Sequence, residues 1–122
     1  MRILVIDDDP SVAEMIAEAI RSVGHESLVA LDGAEGLLVL ESTAVQGVFL
    51  DLVMPGLGGL AVLTRIRSRF PHVPVVILSA HAGDDEAREA IALGASEVIM
   101  KPAGLAQFTD VLSRLTRSTA AG

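Results

Sequence analysis

Four short apolar runs in this chain end on groups that can do chemistry. Ile3-Leu4-Val5-Ile6 leads into Asp7 and Asp8, Val48-Phe49-Leu50 into Asp51, Val75-Val76-Ile77-Leu78 into Ser79, and the weaker run through Val98-Ile99-Met100 into Lys101. Carboxylates brought to ~4 Å repel by about 4 kcal/mol per pair at an effective dielectric of 20. A fold that gathers Asp7, Asp8 and Asp51 therefore calls for a cation. Hard oxygen ligands with no histidine or cysteine nearby suit Mg²⁺, or Mn²⁺ in its place. Lys101 then reads as the counter-charge for an anion that arrives with the metal, for which a phosphoryl group is the obvious candidate. Ser79 can donate a hydrogen bond to the same group. Asp9, just ahead of Pro10, reads instead as a helix cap.

The elements that must position these groups alternate. Continuous β-branched runs of strand length suit parallel strands buried on both faces. Glu26 to Ala30 and Ser96 to Met100 mix polar residues into their runs and read as the two edge strands. Between the strands lie helical patterns. Val12, Met15, Ile16, Ala19, Ile20 and Val23 recur at the helical period and stop at Gly24. A second helix starts near Gly33 with Leu37 and Leu38. A third follows Gly58-Gly59 with Leu60, Leu63, Ile66 and Phe70, and ends before Pro71. The fourth starts at Asp84-Asp85, bears Ala87, Ala90 and Ile91, and closes at Gly94. The fifth runs from about Leu105 through Phe108, Leu112 and Leu115. Five βα units joined by right-handed crossovers give an α/β fold, a doubly wound parallel five-stranded sheet with helices on both faces, and the polar second and fifth strands fit the two edges of the order 2-1-3-4-5. In such sheets the ligand crevice lies outside the carboxyl ends of the strands, where strand order reverses, and that is where the five polar groups converge.

Composition narrows the chemistry further. A chain of 122 residues that is 51% hydrophobic has enough apolar surface for one core. No apolar run approaches a membrane span, and Asp7-Asp8-Asp9 interrupts the N-terminal run too early for a signal peptide, so a cytoplasmic domain is expected. A net charge of −7 with nine Lys and Arg disfavours nucleic-acid binding by this domain. The absence of cysteine excludes disulfides, thiolate metal sites and thiol catalysis. With no Trp or Tyr and three Phe, an aromatic sandwich for flavin is also disfavoured.

Ile6-Asp7-Asp8-Asp9-Pro10, Leu50-Asp51-Leu52-Val53-Met54-Pro55-Gly56, Leu78-Ser79-Ala80 and Met100-Lys101-Pro102 together resemble the response-regulator receiver domain of bacterial two-component systems, of the chemotaxis-regulator type. The match runs in order over nearly the whole chain. The resemblance implies a phosphoryl-accepting signalling switch that catalyses only its own phosphorylation and dephosphorylation. Asp51 would take the phosphoryl group from a phosphohistidine of a sensor kinase or phosphotransfer protein. Asp8, Asp51, the backbone carbonyl of Val53 and Asp7 would hold Mg²⁺, Lys101 would pair with a phosphoryl oxygen, and Ser79 would bond another. It also implies a cis peptide before Pro102. The fourth helix, fifth strand and fifth helix would meet a downstream protein or fused output domain. The receiver is expected over residues 1–117, with 118–122 as a tail or the start of a linker.

Departures from the family pattern bear on output and lifetime. Val98 stands where an aromatic ring is usual, Ala103 where Phe often follows Lys-Pro, and Gly58-Gly59 where Asp-Gly is familiar. Val53 and His81 hold the positions that flank the approach to the phosphoryl group in the family, and the resemblance implies that they modulate it. His25 and His72 read as solvated loop residues. Arg65, Arg67 and Arg69 alternate along the third helix and read as solvated, without one coherent basic face. A haloacid-dehalogenase-like phosphatase, with Asp7 as nucleophile and Asp9 as acid/base, is the alternative reading. It leaves Asp51 and Met54-Pro55 unexplained. A flavodoxin-like electron carrier shares the fold but lacks support from aromatics or a phosphate loop.

Overall fold

A computed structural model of the chain describes residues 1–54, 56, 58–79, 85–100, 107 and 110–115, with Met100 described through its backbone alone. The β-branched runs form strands β1 (Arg2–Ile6), β2 (Glu26–Ala30), β3 (Gly47–Asp51), β4 (Val75–Ser79) and β5 (Glu97–Met100). They pair in parallel, as the alternation predicts, and in the expected order β2-β1-β3-β4-β5. The helices are α1 (Pro10–Ser22), α2 (Gly33–Ser42), α3 (Gly59–Arg69) and α4 (Asp85–Ala92), and residues 110–115 are helical as α5.

Successive side chains on a strand point to opposite faces, and the apolar runs therefore fill two cores. Leu4, Ile6, Leu50 and Ile77 pack under α2, α3 and α4. Ile3, Val5, Phe49, Val76 and Leu78 pack under α1 and α5 with Ile16, Ile20, Leu112 and Leu115. β3 and β4 are buried along their full length, whereas β2 is only half-buried along most of its own, as an edge strand should be. Arg114 clamps α5 to β5 through two bonds to Glu97, at 2.8 and 2.7 Å.

Helix boundaries follow local chemistry. Asp9 caps α1 by accepting from the N–H groups of Ser11 (2.9 Å) and Val12 (3.4 Å), and Asp32 caps α2 by accepting from Glu35 N–H at 2.7 Å. After α1 and α4 the chain turns through Gly24 (φ 92°) and Gly94 (φ 108°), a region that favours glycine.

Packing departs from the sequence pattern in several places. α1 faces the sheet with Ala13, Ile16, Ala17 and Ile20, an i, i+3, i+4, i+7 stripe in which alanines allow close approach. That rotation leaves Met15 and Val23 on the exposed side. α4 likewise buries Ala87 and Ala90 and exposes Ile91. β5 starts at Glu97 rather than Ser96, although the Ser96 N–H already donates to the Val75 carbonyl at 2.8 Å. His72 is exposed as expected, but His25 is half-buried, with its Nδ1 3.0 Å from the Met1 α-ammonium. Arg65 and Arg69, four residues apart, share the α2 side of α3. Arg67 turns away from them to the helix end, where its guanidinium donates to the Pro71 carbonyl at 3.3 Å.

Candidate functional site

β1 lies between β2 and β3, so the connections from it diverge to opposite faces and open a crevice at its carboxyl end. Asp7 is the first residue past β1, and its N–H continues the ladder by donating to the Ala30 carbonyl at 3.1 Å. Asp51 closes β3 in register with Leu78, and the next N–H, that of Leu52, donates to the Leu78 carbonyl at 3.2 Å. Ser79 closes β4 and is buried. The sheet thus delivers these side chains to one edge, with the backbone ladder running up to Asp7 and one amide past Asp51.

Asp7, Asp8 and Asp51 come together: one carboxylate oxygen from each lies within 4.8 Å of the others. Asp7 is fully buried and Asp51 is 6% exposed, while Asp8 faces solvent. The two buried carboxylates are aimed by the same local device. Asp7 Oδ1 accepts from the Asp9 N–H at 3.0 Å, and Asp51 Oδ1 accepts from the Val53 N–H at 3.2 Å. Each is an Asx-type bond to the amide two residues on, which fixes the side-chain rotamer. An all-oxygen donor set of this size fits a hard divalent cation far better than a thiophilic one.

The loop after Asp51 is held by a contact that sequence reading missed. The Gly59 N–H donates to the Leu52 carbonyl at 3.1 Å, and a Cβ at Gly59 would stand 2.5 Å from Leu52 Cα and 2.7 Å from the Asp51 carbonyl oxygen. Only glycine allows α3 to start this close to the site. The Gly58-Gly59 pair was the visible signal. It reads in sequence as a lost cap, and Gly58 indeed makes no side-chain cap bond. Met54 turns inward to the core, whereas Val53 is 66% exposed beside the carboxylates. Val98 is half-buried against the α4-side core. Lys101, Pro102 and His81 lie outside the described residues.

Asp9 is engaged in capping α1, and Asp7 is sealed from solvent. The capping bonds of Asp9 do not suit the acid/base role of the phosphatase reading. Fold and site together define a doubly wound α/β domain with a carboxylate-lined switch-point crevice. Residues 3–113 match the response regulator receiver domain, and the chain belongs to that family. Domains of this family are signalling switches of two-component systems rather than conventional enzymes.

Relatives agree. The chain is 36% identical over 114 residues to the response regulator protein FleR of Pseudomonas aeruginosa, covering 93% of this chain and 24% of that protein. It is 34% identical over 116 residues to the transcriptional regulatory protein PrrA of Mycobacterium tuberculosis, covering 95% of this chain and 50% of PrrA. It therefore spans about a quarter to a half of these longer regulators. The crystal structure of the receiver domain of NtrX from Brucella abortus superposes with a TM-score of 0.88 at 35% identity, covering 93% of this chain and 96% of that one. Chemotaxis protein CheY4 of Vibrio cholerae, at 24% identity and a TM-score of 0.87, shares the fold. Among the described residues, no helix is long and apolar enough to cross a membrane.

Proposed function

We propose that Asp51 is the phosphoryl acceptor of this receiver domain. The observation that carries the reading is the meeting of a nearly buried carboxylate at the end of β3 with Asp7 and Asp8 at the end of β1, oxygens within 4.8 Å. In the transfer, an Asp51 carboxylate oxygen attacks phosphorus. The new O–P bond forms as the N–P bond of a donor phosphohistidine breaks, and the imidazole leaves with its nitrogen lone pair and is protonated by solvent. The donor is a sensor kinase or phosphotransfer protein in the cytoplasm.

Asp7, Asp8, Asp51 and the Val53 carbonyl would hold Mg²⁺ there, which supplies charge neutralisation at the phosphoryl oxygens. The chain's own groups do the rest. The Val53 N–H bond orients the Asp51 carboxylate, Ser79 offers a hydroxyl donor, and Lys101 would supply a positive charge. Orientation and charge placement carry phosphoryl transfer, which asks little covalent chemistry of the protein. Phosphorylation then alters the surface of α4, β5 and α5, through which a downstream protein or fused output domain is met.

Incubation with acetyl phosphate and Mg²⁺ tests this by intact mass. The wild type gains one phosphoryl group, and Asp51→Asn gains none. Labelling that survives Asp51→Asn unchanged would remove the reading.

A further inference from the structure

A second recess lies on the outer side of the α2–α3 layer and shares no residue with the carboxylate site. It is a groove of about 310 Å³ lined by Ala34, Leu37, Leu38 and Glu41 from α2 and by Arg65 and Arg69 from α3. Leu38 is 65% exposed at its edge, and Leu37 is half-buried on its floor. A neighbouring recess of about 350 Å³, which also includes Glu41, opens onto Leu40, Val45, Phe70 and Val73. Glu41 pairs with Arg69 and so stands as a polar divider between two apolar floors.

Of the charged residues that line the groove, Arg65 and Arg69 are basic and Glu41 is acidic, and the Arg69–Glu41 pair leaves Arg65 as the local excess charge. α3 carries Arg65, Arg67 and Arg69 and no acidic residue, in a chain of net charge −7. Arg65 and Arg69 point into the groove, and Arg65 has no ion-pair partner among the described residues. We infer that this groove docks an acidic amphipathic helix of a partner protein. Apolar side chains at i, i+3 and i+4 of that helix cover Leu37 and Leu38. A carboxylate beside them pairs with Arg65, and a second competes with Glu41 for Arg69. A basic partner would meet Arg65 unfavourably. Two arginines are too few to hold a polyphosphate backbone to so acidic a domain.

The groove and the phosphoryl site fail or succeed separately, because docking needs no phosphorylation. The probe is a synthetic helix of about 15 residues made of leucine and glutamate, with leucine at i, i+3, i+4 and i+7. It is titrated into the isotope-labelled chain and followed by amide chemical shifts. Saturable shifts are expected at Ala34, Leu37, Leu38 and Arg65. Affinity falls roughly tenfold or more in Arg65→Glu and in Leu38→Glu, both at exposed helix positions. It rises roughly two- to five-fold in Glu41→Gln, because Arg69 is released from a surface pair. A structural role for Glu41 would not tighten binding. Equal shifts from a leucine–lysine helix, shifts elsewhere, or no saturable shift would overturn the inference. So would self-association through the groove, or binding of a DNA duplex there in place of the peptide.

Discussion

The backbone N–H of Gly59 donates to the carbonyl of Leu52 at 3.1 Å, with no room for a Cβ between them. Leu52 directly follows Asp51, so the start of α3 braces the strand end that carries the proposed acceptor carboxylate. Gly59→Ala is expected to cost about 1–3 kcal/mol, the range for forced overpacking, and to weaken stabilisation by Mg²⁺. Its neighbour has open space around it, and Gly58→Asp should gain a few tenths of a kcal/mol by capping α3. Urea denaturation of both variants with and without Mg²⁺ measures the contrast.

Gathered carboxylates also predict how the metal acts on stability. Saturating Mg²⁺ at about ten times its dissociation constant should stabilise the domain by about 1.4 kcal/mol. Asp8→Asn should remove most of that gain and, by relieving repulsion on Asp7 and Asp51, raise the melting temperature of the metal-free protein. Thermal melts across a Mg²⁺ series check both signs. A metal-free Asp8→Asn less stable than wild type would contradict the repulsion.

Much of this arrangement is legible in the sequence because strand burial leaves little freedom. Ile3 to Ile6 and Val75 to Leu78 are apolar at every position, which only a strand covered on both faces tolerates, and the residue ending each run must then stand at the crevice. Asp7, Asp51 and Ser79 follow from that reasoning alone. Helix rotation is less legible, because Met15 and Ile91 are as apolar as the residues beside them. Alanines win the sheet-facing positions at Ala13, Ala17, Ala87 and Ala90 by letting backbones approach. Gly59 and Leu52 meet through backbone atoms, which leave no pattern of side-chain polarity to read. That Arg65 and Arg69 share the α2 side of α3, with Arg69 paired to Glu41, emerges only once α3 has a fixed partner.

Val53 bears on how long the phosphorylated state lasts. It sits two residues past Asp51 and is 66% exposed, and on the proposed reading its methyl groups would flank the path of a hydrolytic water. Val53→Asn supplies a polar group that can hold that water. Autodephosphorylation after removal of the donor should quicken by up to roughly tenfold, the value of one well-placed hydrogen bond. Phosphate release timed on both proteins gives the ratio.

His25 gives the fold a weak dependence on acid. Burial, and then repulsion from the Met1 α-ammonium, hold its pKa below the ordinary 6.5. The unfolded chain therefore binds the proton more readily than the folded one between the two values. Stability from this residue is fully present above pH 6.5 and declines as the pH falls below it toward the lowered folded value. His25→Gln should flatten that part of the curve, read as the difference between variant and wild-type urea midpoints from pH 7.5 downward.

The central claim is the identity of the acceptor, and trapping the acyl phosphate tests it most directly. Borohydride reduces a phosphorylated aspartate to homoserine, which peptide mass mapping then locates. After acetyl phosphate and Mg²⁺, homoserine is predicted at position 51, at the end of β3, with Asp7 and Asp8 intact. Homoserine at position 7, or full labelling with none at 51, would contradict the account.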